Sequence, residues 1–427
     1  MPTDVFAEFE WRGLTYEATD GLRDVLAREK VTCYIGFDPT AASLHVGSLL
    51  PMMALARMQR FGHSPIAIVG GGTGMIGDPS GKTAERQLLD VEQIDANVEG
   101  IRRQLATVLD FEAPDNPARI VNNADWLRRL DLVGFLRDIG KHFTVNYMLA
   151  KESVKRRLAE EEGISFTEFS YLLLQSYDFL ELFDRHGCTL QLGGSDQWGN
   201  ITAGCDLIRR LRGTKAHGLV MPLVTASSGV KFGKTEAGAV WLDPALTSPY
   251  RFYQFWLNTD DRDVVKYLKY FTFLGEAAIR EGEDAWRAAP ERREAQRLLA
   301  REVTRTIHGR EAVTRAEHAS ALLFGGRIGE LTVDEVLEVF DDVPSTEIDP
   351  DQVSGEGMAI ADMLVATMLA TSKGEAMRLV KGGGVYVNGE RVGDERARIP
   401  RTRAIGGQVF VLRKGARQNH VVRIRTQ

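Results

Sequence analysis

The sequence predicts an α/β fold with a doubly wound parallel sheet in its first half. Short apolar segments follow one another there with amphipathic helical segments between them, which is typical of parallel strands joined by helical crossovers. The predicted strands are Cys33–Phe37, Pro65–Val69, Cys188–Leu192 and Leu219–Leu223. The predicted helices between them include Leu49–Phe61 and Leu172–Phe183. Because ligands of such sheets bind outside the carboxyl ends of the strands, we expect the functional residues there.

The second half of the chain departs from this alternation. From Ser248 to about Phe324 the pattern is helical throughout, and the acidic, proline-containing segment 341–350 is typical of a linker. Beyond it, 360–380 predicts two short helices, and 382–391 predicts a β-hairpin with an Asn-Gly turn. We therefore predict a Rossmann-like domain over 1–230, an α-helical domain over 231–325, a linker over 326–355 and a small α+β module over 356–427.

Length and composition restrict the class of protein. A chain of 427 residues with 44% hydrophobic and 26% charged residues is long enough for several domains with large cores. No apolar run approaches the roughly 20 residues that span a bilayer, and residues 1–11 lack the pattern of a signal peptide. The scattered cysteines argue against a disulfide framework, and the histidines lack zinc-ligand spacing. We expect a cytoplasmic protein that contacts no membrane and holds no protein-bound metal or prosthetic group.

Charge is distributed unevenly along the chain. The whole chain carries −6, but Ser372–Gln427 contains 13 Lys and Arg against 4 Asp and Glu. That segment therefore has a net charge of +9, which leaves −15 for the residues before it. An acidic body with a basic C-terminal module indicates that the module contacts the phosphates of a nucleic acid.

Two distant segments fit chemistry on a triphosphate. Pro39–Ser48 follows the first predicted strand and places His45 at the start of a helix, where unpaired N–H groups and the helix dipole favour an anion. Val230–Thr235 carries Lys231 and Lys234 on a glycine-containing loop that could close over that anion. Together the two segments predict that positive charge is brought to a pentavalent phosphorus.

These segments resemble the signatures of a known family. His45–Ser48, with the sequence His-Val-Gly-Ser, resembles the HIGH signature of class I aminoacyl-tRNA synthetases, and Lys231–Thr235 resembles the tyrosyl form of the KMSKS signature. The two signatures have the order and the spacing found in bacterial tyrosyl-tRNA synthetases, and the segments between them are similar as well. The chain resembles this family along nearly its whole length. The resemblance implies a ligase that makes tyrosyl-adenylate and pyrophosphate from tyrosine and ATP and then transfers tyrosine to the 3′ end of tRNA(Tyr).

The same resemblance implies substrates and partners. L-Tyrosine, tRNA(Tyr) and ATP with Mg²⁺ are the expected substrates, and a homodimer formed through an insertion in the catalytic domain is the expected assembly. The helical domain would contact the anticodon, and the basic module resembles the α-L RNA-binding module of a ribosomal small-subunit protein. Two alternatives are kept open: a tryptophanyl-tRNA synthetase, which shares the scaffold, and a non-catalytic RNA-binding protein on that scaffold.

One helical segment carries a polar stripe. Tyr171, Gln175 and Asp178 are spaced i, i+4 and i+7, so they share one face of an otherwise apolar helix. Such a stripe is costly unless it meets a ligand or forms a buried hydrogen-bond network, and spacing alone leaves both open. By resemblance, Tyr171 and Gln175 bind the ammonium end of tyrosine, while Asp178 and Tyr34 meet its phenol.

The resemblance also assigns the remaining site residues. Catalytic roles on the triphosphate are assigned to Thr40, His45, Lys82, Arg86, Lys231, Lys234 and Thr235. Tyrosine binding is assigned to Tyr34, Thr73, Asp78, Tyr171, Gln175, Asp178 and Gln197. ATP binding is assigned to Gly36, Asp38, Thr40, His45, Gly47, Gly193, Asp196, Lys231, Phe232 and Lys234. For His45 the alternative is a helix cap, and at 195–196 either Ser195 or Asp196 could be just such a cap. For the lysines and Arg86 the alternative is solvated surface charge.

Overall fold

The computed structural model of the chain describes residues 4–78, 80, 91–161, 163–227, 232–235, 238–323, 328, 331–340, 343–415 and 418–425. Two compact units make up the chain: Met1–Thr247 with Phe255–Ile307, and Ser248–Gln254 with His308–Gln427. Within the described ranges, no helix combines the length and the apolar character needed to cross a membrane.

A six-stranded sheet forms the centre of the first unit. Its strands are β1 (Glu17–Ala18), β2 (Thr32–Phe37), β3 (Ser64–Val69), β4 (Arg119–Asn122), β5 (Cys188–Gly194) and β6 (His217–Met221). They are arranged in the order β1-β6-β5-β2-β3-β4, and all neighbours are parallel except β1 and β6. The chain runs outward from β2 to β4 on one side and from β5 to β6 on the other. The strand order therefore reverses between β2 and β5, which is where doubly wound sheets bind ligands.

Four of these strands confirm the sequence prediction. The predicted runs at 33–37, 65–69, 188–192 and 219–223 overlap β2, β3, β5 and β6, which are mostly buried, as expected when helices cover both faces of a sheet. Tyr34 lies on the central strand, opposite Ile66 of β3 and Gln191 of β5. The sequence did not predict β1 or β4, because β1 has two residues and β4 is only partly buried.

Helices cover this sheet and continue beyond it. They are α1 (Val5–Trp11), α2 (Leu22–Arg28), α3 (Leu49–Arg60), α4 (Val91–Leu105), α5 (Ala124–Leu127), α6 (Leu132–Asp138), α7 (Val145–Leu149), α8 (Glu152–Ala159), α9 (Phe166–His186), α10 (Trp198–Arg212), α11 (Pro249–Leu257), α12 (Val264–Phe271), α13 (Glu276–Ala288) and α14 (Glu294–Leu323). Pro51 lies in the first turn of α3, where its missing N–H costs little. Gly309, with φ 84°, interrupts α14 next to the start of the second unit.

The polar stripe predicted at 171–178 lies on α9. The Ser165 hydroxyl accepts from the Glu168 N–H at the start of this helix, and Gly187 ends it in the left-handed region at φ 61°. The Glu168 carboxylate also pairs with Arg157 at 2.9 Å, and both side chains are buried. The first turn of α9 is thereby held against α8, and the polar stripe begins at the next turn.

The remaining strands form a hairpin in the first unit and two small sheets in the second. They are β7 (Lys234–Thr235), β8 (Gly238–Ala239), β9 (Ser345–Ile348), β10 (Met358–Ala359), β11 (Val385–Val387), β12 (Glu390–Arg391), β13 (Arg398–Ile399), β14 (Val409–Lys414) and β15 (Gln418–Ile424). β7 pairs with β8 and β10 with β13, and a five-stranded sheet has the order β12-β11-β14-β15-β9. The predicted hairpin is confirmed, since Asn388 and Gly389 connect β11 and β12 with φ of 50° and 83°.

Three short helices complete the second unit: α15 (Val333–Val339), α16 (Ile360–Ala366) and α17 (Lys373–Lys381). The last two confirm the pair predicted over 360–380. The structure differs from the predicted linker over 326–355, because α15 and β9 lie inside it. Strand β9 pairs with β15 in parallel, and Val336 and Phe340 of this stretch are buried against residues of β14 and β15. The prediction of a linker rested on the acidic composition of this stretch. It did not take account of the few apolar residues that pack against the sheet.

Candidate active site

A cavity of about 790 Å³ opens at the carboxyl ends of β2, β3, β5 and β6, where the strand order reverses. It lies within the first unit. Predicted site residues from distant parts of the chain line it: Tyr34, Gly36, Asp38, Thr40, His45, Gly47, Thr73, Asp78, Tyr171, Gln175, Asp178, Gly193, Asp196, Gln197 and Phe232. The fold therefore brings together every predicted site residue whose side chain the structure describes.

Five predicted residues are not placed in this way. Lys82, Arg86 and Lys231 lie outside the described residues. For Lys234 and Thr235 the structure describes the backbone, which forms β7, and not the side chains.

One part of the cavity presents an acceptor and a hydroxyl. The Asp178 carboxylate accepts hydrogen bonds from Trp126 Nε1 at 2.7 Å and from Asn123 Nδ2 at 2.9 Å. Burial nevertheless raises the pKa of Asp178 to about 7, and the two hydrogen bonds act against that rise. The buried Tyr34 hydroxyl has no hydrogen-bond partner among the described residues. A buried hydroxyl in this state is costly, so both groups are suited to a polar group of a ligand.

A second buried carboxylate lies in the same cavity. Asp78 accepts from Gln197 Nε2 at 2.7 Å and from the Ser80 N–H at 2.9 Å. Burial and the negative charge of Asp38 raise the pKa of Asp78 to about 6. A cationic group of a ligand would favour the ionised form of Asp78 and offset the cost of burying it.

Hydrogen bonds link this carboxylate to the polar stripe of α9. Gln175 Nε2 donates to Gln197 Oε1 at 3.2 Å, and Asn200 Nδ2 donates to Gln175 Oε1 at 2.9 Å. The buried hydrogen-bond network that the sequence left open is therefore present, and it also lines the cavity. Its amides are pre-oriented by one another, so little reorganisation is needed when a ligand enters.

His45 begins the short helical turn before α3, and its ring orientation is defined. Its Nδ1 accepts from the Gly47 N–H at 3.0 Å, so a neutral ring carries its proton on Nε2. A side chain at Gly47 would place a Cβ 2.6 Å from His45 Cε1, which explains the glycine. His45 therefore does cap this helical turn, as the alternative proposed. The same residue lines the cavity, and its donor nitrogen is Nε2.

Asp196 does not act as a helix cap. It lies inside the short helical turn Ser195–Gln197, and neither this turn nor α10 has a side-chain hydrogen bond at its N-terminus. It lines the cavity instead, and its Oδ1 lies against Gly194, where an added Cβ would be 2.5 Å away. The capping alternative is therefore wrong for this residue.

Gly233 of the lysine loop (230–235) packs directly on Val46 of the histidine segment (39–48). Gly233 has φ 82°, and a Cβ there would lie 2.9 Å from Val46 Cγ2, so only glycine fits both the backbone and the space. The Gly233 carbonyl accepts from the Val240 N–H at 3.0 Å, and the Val240 carbonyl accepts from the Val46 N–H at 2.9 Å. Two sequence motifs almost 190 positions apart therefore share one hydrogen-bonded backbone unit.

Sequence reasoning missed several residues of the site. Asn123 directly follows the unpredicted β4, Trp126 lies on α5, and both donate to the Asp178 carboxylate. Gln191 was also missed, although a glutamine inside a buried strand is an unusual feature that marks such a residue. Its Oε1 has no partner in the part of the chain that the structure describes. Trp241, whose ring centroid lies 6.0 Å from that of His45, gave no sequence signal.

Among the described residues, no group of three or more His, Cys, Asp or Glu side chains could hold a metal ion. The carboxylates of the cavity engage amide and indole donors instead, as described above for Asp78 and Asp178.

Two protein families match the chain, and together they cover most of its length. The family described as tRNA synthetases class I (W and Y) matches residues 26–325, and the tyrosine–tRNA ligase SYY-like C-terminal domain matches residues 335–422. The first family covers both the tryptophan and the tyrosine enzymes, so it does not separate the two by itself.

Individual relatives make that separation. The tyrosine–tRNA ligase of Roseiflexus castenholzii is 60% identical over 422 residues, which are 99% of this chain and 100% of that protein. The enzyme of Geobacillus stearothermophilus is 52% identical over 98% of this chain and 99% of its own. Among solved structures, a C-terminally truncated mitochondrial tyrosyl-tRNA synthetase of Aspergillus nidulans has a TM-score of 0.68 at 32% identity, covering 75% of this chain and 94% of its own.

These identities over the full length exclude the two alternatives kept open above. The protein is an enzyme, its activity is tyrosine–tRNA ligation, and its substrates are tyrosine, ATP and tRNA. The chain belongs to the tyrosyl-tRNA synthetase family of class I aminoacyl-tRNA synthetases.

Proposed function

We propose that the cavity binds tyrosine with its phenol between Tyr34 and Asp178. The observation that carries this proposal is the unpartnered, buried Tyr34 hydroxyl in a cavity that also contains the Asp178 carboxylate. The phenol accepts from Tyr34 and donates to Asp178, whose carboxylate already accepts from Asn123 and Trp126. A side chain without that hydroxyl leaves the Tyr34 hydroxyl unpaired and removes one hydrogen bond from Asp178, and this difference is the source of specificity.

The ammonium group of tyrosine lies at the second carboxylate. Asp78 supplies the charge, Thr73, Tyr171 and Gln175 complete the contacts, and Gln197 holds Asp78 from the side. The depth of burial supports this role, because a carboxylate whose pKa is raised to about 6 gains most from a neighbouring cation.

ATP occupies the part of the cavity lined by the histidine segment. Gly36, Asp38, Gly47, Gly193, Asp196 and Phe232 contact the nucleotide there. Asp196 accepts from the ribose hydroxyls, and the glycines let the backbone approach it closely. Mg²⁺ enters with ATP as the counter-ion of its phosphates, and the reaction takes place in the cytoplasm.

Adenylate formation then needs positioning and positive charge rather than a protein nucleophile. A carboxylate oxygen of tyrosine forms a bond to the α-phosphorus, and the bond from that phosphorus to the β-bridging oxygen breaks, releasing pyrophosphate. His45 Nε2–H and the Thr40 hydroxyl donate to the phosphate oxygens that gain charge. Lys82, Arg86, Lys231, Lys234 and Thr235 act on the leaving pyrophosphate. In the second step a hydroxyl of the terminal tRNA ribose attacks the tyrosyl carbonyl, and AMP leaves.

We expect Tyr34→Phe to lower discrimination between tyrosine and phenylalanine about fivefold. The variant removes one hydrogen bond to the substrate hydroxyl, which is worth roughly 1 kcal/mol, and keeps the ring that packs against Phe179. The ratio of kcat/KM for the two amino acids in ATP–pyrophosphate exchange measures it. Tyr16→Phe, at a tyrosine that is 64% exposed, is the matched control and should leave the ratio unchanged. An unaltered ratio in Tyr34→Phe would remove this residue from the phenol site.

We expect the affinity for tyrosine to fall as pH drops from 8 to 5.5. Asp178, with a pKa of about 7, and Asp78, with a pKa of about 6, must both be ionised to receive the phenol and the ammonium group. Below these pKa values the free enzyme binds protons at the two carboxylates, and these protons compete with tyrosine. Tyrosine binding therefore releases protons, and affinity falls by up to tenfold per unit decrease in pH for each carboxylate. Calorimetry in buffers of different ionisation enthalpy measures the release. Proton uptake, or none, contradicts the assignment.

The basic C-terminal module binds the tRNA through its phosphates. Arg378 and Lys381 are exposed on one face of α17. We expect Arg378→Gln/Lys381→Gln to weaken tRNA binding and to flatten its logarithmic salt dependence by about 2, because each lost phosphate contact releases about one counterion fewer. Tyrosine-dependent pyrophosphate exchange should stay normal.

Filter binding over a salt series makes this measurement. The control is Arg102→Gln/Arg103→Gln, which removes the same charge from two exposed positions of α4. Equal losses of tRNA affinity in the two double variants would mean that net charge, and not the module, governs binding.

The protein acts as a homodimer through the insertion that carries α6 to α8. This region and the start of α9 expose large apolar side chains: Leu132 70%, Val133 71%, Val145 62% and Phe166 79%. Apolar surface concentrated in one region marks an interaction site, and a second copy of the chain is the occupant that the family resemblance implies.

We expect the full chain to sediment as a dimer at micromolar concentration and Val133→Asp/Phe166→Asp to sediment as a monomer. Buried aspartates at a self-complementary interface are left uncompensated, which costs several kcal/mol. Met368→Asp, at an 83% exposed residue of the second unit, is the control and should remain dimeric. Sedimentation velocity decides, and a monomeric wild-type chain would end this proposal.

A further inference from the structure

We propose that Gln104 is a positioning residue for adenylate formation. It binds Ser43 and Leu44 of the histidine segment, and through Ser43 it fixes this segment against Asp243, which follows the lysine loop in the chain. Gln104 belongs to α4, touches no substrate site, and does not line the cavity. The inference rests on the proposed role of His45 and adds to it a residue that acts through His45.

One face of α4 is fitted to the segment before His45. Asn97 Nδ2 donates to the Pro39 carbonyl at 2.8 Å. Gly100, three residues on, faces the same segment, and a Cβ there would lie 2.0 Å from the Ala42 carbonyl oxygen. Gln104 follows four residues later on the same face. The helix backbone is therefore in direct contact with the segment, and no larger residue could replace the glycine.

The Gln104 carboxamide uses both of its ends. Its Oε1 accepts from the Leu44 N–H at 2.7 Å, and its Nε2 donates to Ser43 Oγ at 2.9 Å. The Ser43 hydroxyl in turn donates to the Leu44 carbonyl at 2.7 Å and accepts from the Asp243 N–H at 3.1 Å. Gln104 and Ser43 are both buried, so neither group can replace these partners with bulk water.

Residues 44–46 and 240–242 form a short antiparallel ladder, and the bonds of Gln104 and Ser43 lie at one end of it. The Leu242 N–H donates to the Leu44 carbonyl at 2.9 Å, and the Val46 N–H donates to the Val240 carbonyl at 2.9 Å. His45 lies between the two rungs, opposite Trp241. At the far end the Val240 N–H donates to the Gly233 carbonyl. Gln104 and the lysine loop thus contact opposite ends of the ladder formed by 44–46 and 240–242.

The position of His45 Nε2 depends on this ladder. The ring is tied to the backbone through Nδ1 and the Gly47 N–H, so a shift of the backbone at 44–47 shifts the donor nitrogen with it. Displacing a reacting group by about 1 Å costs on the order of a hundredfold in rate, whereas tyrosine is held by residues on other elements. Loss of the Gln104 contacts should therefore lower the rate of adenylate formation and leave tyrosine binding unchanged.

The test is Gln104→Met in the full-length protein. Methionine has nearly the same length and removes both the donor and the acceptor. We expect kcat for tyrosine-dependent ATP–pyrophosphate exchange to fall at least tenfold, with the dissociation constant for tyrosine within twofold of the wild-type value. The matched control is Gln59→Met, since Gln59 also uses both ends of its amide, on the backbone of Asp110. Gln59 lies at the C-terminal end of α3, whereas His45 precedes the N-terminal end of that helix. The control variant should keep the wild-type kcat even if it lowers Tm.

A double-mutant cycle separates positioning from stability. If Gln104 acts through His45, Gln104→Met should lower the rate far less in a His45→Ala background than in the wild type. Equal losses in the two backgrounds, an unchanged kcat, or parallel losses of kcat and tyrosine affinity would each overturn the proposal. If Gln104→Met does not fold, Ser43→Ala removes the centre of the same network and is held to the same outcomes.

Failure of this proposal is distinguishable from failure of the proposed site. Wild-type exchange, its dependence on tyrosine and its loss in His45→Ala test the site without any change at Gln104. If those results hold and the cycle shows no coupling, only the role of Gln104 is wrong.

Discussion

The antiparallel contact between 44–46 and 240–242 is the constraint on which the catalytic arrangement depends. It joins a segment that leaves the central strand β2 to a segment that follows the last strand of the sheet. Without it, the histidine segment and the lysine loop would be two separate surface features. With it, Gly233 packs against Val46 and Gly47. The close packing explains why glycine occupies both sides of the contact.

The amino acid part of the cavity is governed by a different constraint, the cost of burying carboxylates. Asp78 and Asp178 are held in a network of amide and indole donors that lowers this cost without removing it, so the pKa of each stays raised. In the binding mode that we propose, the ammonium group and the phenol of tyrosine lower this cost at Asp78 and Asp178. Selectivity and affinity would then come from the same groups, and both would depend on the protonation state of the free enzyme.

Charge and cavity lie on different parts of the chain. The cavity is in the first unit, whereas residues 372–427, with a net charge of +9, belong to the second. The five-stranded sheet of the second unit combines β11, β12, β14 and β15 with β9 from the acidic stretch before them, and Phe410 and Val422 are fully buried in its core. In the function that we propose, this positive charge binds tRNA phosphates, and none of the described residues that line the cavity belongs to the basic segment.

The sequence by itself determined four of the six strands of the central sheet, the two signature segments and the polar stripe on α9. Each is a local pattern: a buried apolar run, a short motif at a helix start, or polar side chains at helical spacing. It also determined the Asn-Gly hairpin, because only a few residue types adopt the positive φ values at Asn388 and Gly389. These predictions needed no knowledge of which segments meet in space.

Tertiary structure alone decided which residues hold the site together. Asn123 and Trp126 reach Asp178 across more than 50 positions, and Gln104 reaches Ser43 across 61, so no local pattern marks them. The stretch 326–355 looked like a linker because its composition is acidic, yet Val336, Phe340 and Ile348 attach it to the C-terminal sheet. Burial and long-range hydrogen bonding are properties of the folded chain, and a residue's own neighbours in sequence do not specify them.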